Sequence, residues 1–172
     1  MTEPTRLYTA GRQLWKVRAV MWLMLAMGLG FLWWGVDLAQ TYGLNPGDGG
    51  VLRPSGERLA WGLTVGLLGL LPIVGMQLYG RLYVARIDYA AGADGLSVTT
   101  LRFWGSAVRA VALAQVVGSK YEDGRFEARQ TVEAPWYFIS LKGARFPSIL
   151  DAQGQFTDFA LAARLLGLRG AR

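Results

Sequence analysis

The chain has 172 residues, a formal net charge of +6, 52% hydrophobic residues and only 17% charged ones. It contains neither His nor Cys, which excludes a Ser-His-Asp triad, a thiol nucleophile, a disulfide, and thiolate or imidazole ligation of metal or haem. The apolar excess points to a membrane protein, the length allows one ordinary domain or one small domain plus something else, and no cofactor or metal site is expected.

In chain order, residues 1–18 form a polar, basic tail, with Arg6, Arg12, Lys16 and Arg18 against Glu3. Residues 19–36, AVMWLMLAMGLGFLWWGV, are uncharged. As a helix they reach about 27 Å, close to a hydrocarbon core of ~30 Å. Arg18 and Asp37 close the two ends, with Trp15 and Trp22 toward one and Trp33 and Trp34 at the other. Such rings suit the headgroup level. The run is longer than a signal-peptide core and no small-x-small site follows, so a retained span is expected.

Residues 37–58 read as an outer-side loop, punctuated by Asn45-Pro46-Gly47 and Pro54-Ser55-Gly56. Residues 59–80 form a second uncharged run between Arg58 and Arg81, with Trp61 and Tyr79 near its ends. Pro72 is expected to kink or break that helix, because it lacks an N–H.

Residues 81–172 carry twelve basic and eight acidic residues, whereas the loop holds Arg53 and Arg58 against Asp37, Asp48 and Glu57. By the positive-inside rule both termini belong on the inner side, the cytoplasm of a bacterium or the matrix of a mitochondrion. The net charge is then mainly topological: no direct nucleic-acid partner is expected, while contact with anionic lipid or a ribosome stays open.

Beyond Arg81 short alternations replace the long runs. Leu82–Tyr89 and Leu96–Phe103 read as strands around a turn at Gly92–Gly95, with Leu96, Val98 and Thr100 on one face. Residues 107–117 suit strand plus turn, or a helix. Lys120–Asp123 reads as a polar turn, and Arg125–Val132 alternates weakly. Trp136–Leu141 is a strong strand, Lys142-Gly143-Ala144 a tight turn, and Arg145–Leu150 a hairpin partner whose Pro147 favours an edge. Thr157 is a candidate N-cap, Asp158 suits the first turn, and Gly167 can end the helix. Phe159, Leu161, Ala162, Leu165 and Leu166 give that helix an apolar face. The predicted fold is therefore a membrane α+β fold: a two-helix transmembrane hairpin plus a small antiparallel β domain closed by a C-terminal helix.

Two short motifs carry a family resemblance: Leu7-Tyr8-Thr9-Ala10-Gly11-Arg12 before the first span, and Ile149-Leu150-Asp151-x-x-Gly154-x-Phe156-x-Asp158 before the last helix. With the overall plan, they resemble the mitochondrial two-span assembly-factor family of respiratory complexes, which includes factors for cytochrome c oxidase, complex I and ATP synthase. In outline the β domain is also similar to bacterial pleckstrin-like membrane domains. The first resemblance implies a non-enzymatic assembly factor or accessory subunit of an energy-converting membrane complex. The second implies a membrane-anchored lipid- or ligand-binding module.

Candidate contact residues follow. Gly62-x-x-x-Gly66 and Gly69 offer a small-residue surface on the second span. They suit docking to another subunit's helix, or packing on Gly28 and Gly35 of the protein's own first span. Met21, Met24 and Met27 read as packing or lipid-facing residues. Thr64 and Gln77 are the clearest polar side chains within the spans, and either can bond across helices. No ionisable residue lies within them, which argues against an ion path. Arg102, Arg109, Lys120, Arg125, Arg129, Lys142 and Arg145, with Trp104, Trp136 and Tyr137, are candidates to meet a partner or lipid headgroups. Glu122, Asp123, Glu127 and Glu133 read as solvated surface, and Asp151 and Asp158 as turn and helix-start residues rather than a catalytic pair.

Overall fold

The computed structural model describes residues 4–90, 94–126 and 132–168. Two compact units emerge: Ala19–Leu78, and the segments before and after it.

The first unit is a helical hairpin, built from α1 (Arg12–Thr41) and α2 (Ser55–Leu82). Both helices extend beyond their uncharged cores, and α2 runs unbroken through Pro72. Only 22% of the apolar window of α1 and 17% of that of α2 is buried within the protein. Their exposed side chains include Leu23, Leu29, Val36, Leu63, Leu67 and Leu71. Water tolerates few contiguous patches of that kind, and lipid covers them without cost. Tight chain reversal joins the two helices. Arg53 N–H donates to Tyr42 O at 3.1 Å, and Gly43 (φ +99°) leaves no room for a Cβ beside Val51 O. Arg58 Nη1 donates to the carbonyls of Ala39 (3.3 Å) and Gln40 (3.0 Å). A cation thus satisfies the free carbonyl end of α1.

The second unit is the β domain. One sheet has the order β10-β1-β2-β3-β4, and a second the order β5-β8-β9. The strands are β1 (Thr5–Thr9), β2 (Val84–Tyr89), β3 (Gly95–Leu101), β4 (Ser106–Ala112), β5 (Val116–Glu122), β8 (Trp136–Leu141), β9 (Ser148–Asp151) and β10 (Gln155–Phe156). A further two-residue pair, β6 (Arg125–Phe126) and β7 (Val132–Glu133), stands between β5 and β8. All ladders are antiparallel, and Tyr83 bridges to Ile149 between the sheets. Val84, Ile87, Leu96, Val98 and Val111 of the larger sheet face Val116, Ile139 and Leu141 of the smaller across a small closed core. Helix α3 (Phe159–Leu166) adds Leu166 to that core. The whole is a membrane α+β fold, the class the sequence predicts.

Several local expectations change. The basic tail supplies β1, which pairs with β2 and β10. Residues 107–117 keep the strand-plus-turn reading, as β4, a 3-10 turn (Leu113–Gln115) and the start of β5, and the helix alternative falls. Lys120–Glu122 belongs to β5, because Lys120, Tyr121 and Glu122 pair with Phe138, Tyr137 and Trp136. Alternation slips in β3, where Leu101 is buried and Thr100 only half-buried. Asp158, not Thr157, caps α3: its carboxylate accepts Leu161 N–H at 2.9 Å, so the helix starts one residue later. Phe159 consequently lies off the core face, 44% exposed, with its ring edge-on to Phe156 at 5.2 Å.

Candidate functional site

The two family-like motifs, far apart in sequence, meet at one place. Tyr8 pairs with Phe156 and Thr9 with Gln155, so the N-terminal strand lies along β10. Thr157 N–H donates to Leu7 O at 3.1 Å. The Tyr8 side chain is fully buried, with its ring 5.0 Å from that of Phe156. Its hydroxyl donates to Asp151 O at 3.0 Å, and Gly154 N–H donates to the same carbonyl at 3.1 Å.

The motif residues that meet here have structural tasks. Leu150 is wholly buried in the core. The Asp151 carboxylate accepts Gln153 N–H at 2.8 Å and so holds the turn. Gly154 lies against the Tyr8 ring so closely that a Cβ there would overlap it. Phe156 packs its ring at a tilt against Tyr8, and Asp158 caps α3. Tyr83 is also fully buried, 5.7 Å ring to ring from Tyr79, and among the described residues its hydroxyl has no hydrogen-bond partner.

The electrostatics suit a sealed joint rather than a reactive centre. Burial foremost, then the neighbouring Tyr83 and Asp151, pushes the Tyr8 phenol well above the ordinary tyrosine range. Burial, then Asp151, does the same to Tyr83. Both phenols stay protonated at neutral pH, and that of Tyr8 donates to Asp151 O. Burial also raises the Asp151 carboxyl, partly offset by the Gln153 N–H and the Lys16 ammonium.

A raised carboxyl favours the folded state fully below the unfolded value of about 3.9, and that contribution is lost as pH rises through the raised value. Asp151→Asn keeps an oxygen acceptor for Gln153 N–H and removes the charge. The variant should melt higher than wild type at neutral pH, with a flatter dependence of Tm on pH through the carboxylate range. Thermal scans of the full chain in detergent check this, and a Tm loss at neutral pH alone would contradict it.

The second candidate site is the seam within the hairpin. Gly28 of α1 lies against Gly69 of α2, and seven residues along, Gly35 lies against Gly62. A Cβ at Gly28 would come within 2.5 Å of Gly69 O, and one at Gly69 within 2.6 Å of Gly28 O. At Gly35 and Gly62 the corresponding distance is 2.6 Å in both directions. The glycines thus meet within the hairpin at two-turn spacing. Gly66 behaves differently: it backs Gly35, but its own Cβ would meet only Leu32 Cδ2 at 4.0 Å. Gly66 thus lends backbone to the seam beside Gly35, while the positions whose own Cβ would collide across it are Gly28, Gly35, Gly62 and Gly69. On one side of the seam runs an apolar groove of about 320 Å³, floored by Gly35, Gly62 and Gly66. Thr64 Oγ1 bonds back to Ala60 O at 2.8 Å rather than across the helices, and Gln77 Oε1 is buried without a hydrogen-bond partner among the described residues. Met21 is fully buried, Met24 half-buried and Met27 exposed.

Trp15, Trp22, Trp33, Trp34 and Trp61 are all exposed, and Tyr79 is half-buried. Trp34 leans on Phe31 and Trp61 on Tyr42, with centroids 6.0 and 6.2 Å apart. The basic candidates are dispersed. Arg102 follows β3 and Arg109 sits in β4, both exposed. Lys142 and Arg145 stand exposed between β8 and β9, with Arg145 over the Phe146 ring at 5.5 Å. Lys120 pairs with Glu122. Arg125 is placed only as backbone of β6, while Arg129, Glu127 and the Gly92-Ala93 part of the first turn lie outside the described residues.

Comparison with known proteins returns one family. A model described as the TMEM70/TMEM186/TMEM223 protein family matches residues 47–168, from the inter-helix loop to the end of α3. That span includes the second motif but not the first. No curated protein matches the chain.

Proposed function

As the chain belongs to the TMEM70/TMEM186/TMEM223 protein family, we propose that it is a non-enzymatic assembly factor, or an accessory subunit, for an energy-converting membrane complex. The family is one of respiratory-complex assembly factors, the same family that the two short motifs resemble. The observation that carries the proposal is the extent of the match, which takes in one membrane helix and every described strand of the β domain except β1.

The fold supports a binding role. The buried Tyr8 phenol donates to backbone, and the motif residues around it are spent on closing the β domain. The hairpin presents leucines and tryptophans outward, suited to lipid and to the helices of membrane subunits. The Lys/Arg excess on both tails supports an inner-side position for both termini and the β domain, on the face where membrane subunits expose their matrix or cytoplasmic segments.

Tagged protein, extracted in mild detergent and run on native gels, should co-migrate with a respiratory complex or its precursor. Deletion should lower the assembled amount of that complex. Recovery only as a free species at every growth stage, with all complexes at normal level after deletion, would defeat the proposal.

A further inference from the structure

Sheet edges are hazards that folds blunt by shortness, bulges, proline or cover. Most edges of the β domain are blunted. Strand β10 has two residues. Pro147 precedes β9, which is bridged through Ile149 to Tyr83. Strand β5 is bulged, with a register shift between Val116 and Gly118 (φ +154°) in its ladder with β8, and Ser119 Oγ donates to Gly167 O at 2.8 Å, tying it to the end of α3.

Among the described residues, strand β4 has no bulge, no proline and no strand paired on its outer side, and it is seven residues long. It pairs with β3 in unbroken register over all seven residues from Ser106 to Ala112, and it contains no proline. The phase of its hydrogen bonds is fixed at one end. Leu113 N–H donates to Asp94 O at 3.0 Å, whereas Ala112 N–H turns outward to its own Gln115 Oε1 at 3.2 Å. By antiparallel alternation Ser106, Val108 and Ala110 share that outward direction. All three are exposed, Val108 at 69%. At the other end Arg18 Nη2 reaches Gly105 O at 3.4 Å. The middle of the edge therefore offers a short row of outward N–H and C=O groups to a further strand.

Arg109 decides which strand fits. It occupies the centre of β4, exposed, on the same face as Val111 and opposite Val98. Facing an added strand, it makes a close, non-hydrogen-bonded pair, where side chains couple most strongly. Two copies joined over the full strand length would set Arg109 against Arg109, which is unfavourable. From Gly95 to Tyr121 the chain has no Asp or Glu, so an incoming basic strand finds no counter-charge on these strands. An incoming carboxylate finds Arg109.

We propose that β4 is a docking edge that takes up an extended partner segment bearing an acidic residue opposite Arg109, which extends the sheet by one strand. The inference rests on the reading of the β domain as a partner-binding module. Its test uses purified protein, so the edge can fail while the assembly role stands, and the reverse.

The full chain in detergent micelles is mixed with a short peptide of alternating Val and Thr with a central Glu, and separately with its central-Lys counterpart. Amide hydrogen exchange is read at Val108 and Ala110. The Glu peptide should slow both by about tenfold or more, and the Lys peptide should not. Val108→Pro removes one outward donor without breaking the β3 ladder and should abolish the protection. Arg109→Glu should transfer the preference to the Lys peptide, and it tests the idea even if the proline variant unfolds. Absence of protection, equal protection by both peptides, or concentration-dependent protection without peptide (a second copy on the edge) would each overturn the proposal.

Discussion

Replacing Gly35 or Gly62 with Ala should force the two helices apart, with a loss of about 1–3 kcal/mol each from overpacking. A Cβ at either position falls 2.6 Å from a carbonyl oxygen of the facing helix. Backbone cannot rotate away as a side chain can, so the strain moves the whole helix. Gly28 and Gly69 should behave the same way, since the atoms they meet include each other's carbonyl oxygens. Gly30 and Gly75 meet nothing within 4 Å, so Ala there should be neutral, or favourable by up to ~1 kcal/mol of helix propensity.

Gly66→Ala decides between two views of the seam. If the Cβ direction of Gly66 faced α1 as that of Gly62 does, Gly66 would be as sensitive as Gly62. Its nearest atom at 4.0 Å implies tolerance instead. Because the chain has no Cys, a single pair of cysteines at Tyr42 and Trp61, joined by a short bifunctional maleimide, reports hairpin closure without background. Crosslinking should fall in Gly35→Ala and Gly62→Ala and persist in Gly30→Ala, Gly66→Ala and Gly75→Ala. Equal yields across the series would refute the seam.

Tyr8→Ala should cost the β domain about 3–5 kcal/mol, the range for losing a large buried aromatic side chain. The ring is fully buried against Phe156 and fills the space that Gly154 leaves open. Tyr8→Phe keeps that packing and loses only the bond to Asp151 O, a carbonyl that Gly154 N–H still satisfies, so it should cost about 1 kcal/mol. Gly154→Val approaches the same joint from the other side and should match Tyr8→Ala in effect. Denaturant melts of the full chain, with proteolysis of the N-terminal segment as a second probe, measure all three. A Tyr8→Ala variant within ~0.5 kcal/mol of wild type would mean that β1 is dispensable.

The reach of the sequence depended on whether a signal was local. The two spans were legible because an uncharged helical run needs no partner to be recognised. Strand β8 was legible from its aromatic and β-branched content, and α3 from its 3.6-residue pattern and Gly167 stop. Strand β1 was not, because Leu7 and Tyr8 are both buried where the register with β2 shifts between Arg6 and Tyr8, so no alternation shows. The same holds for β5, whose shift lies between Val116 and Gly118 and left Lys120–Glu122 looking like a turn.

By itself, the sequence determined the membrane α+β class, the two apolar helices and the short motifs that point to the family, since each of these is written in neighbouring residues. Tertiary structure alone decided that the N-terminal segment closes the C-terminal domain, that Gly28, Gly35, Gly62 and Gly69 have no room for a Cβ across the seam while Gly66 does, and that β4 is an edge among the described residues. Each of those outcomes depends on which residues meet across a long separation in the chain. Van der Waals overlap and hydrogen-bond register settle that choice only once the partners are in place.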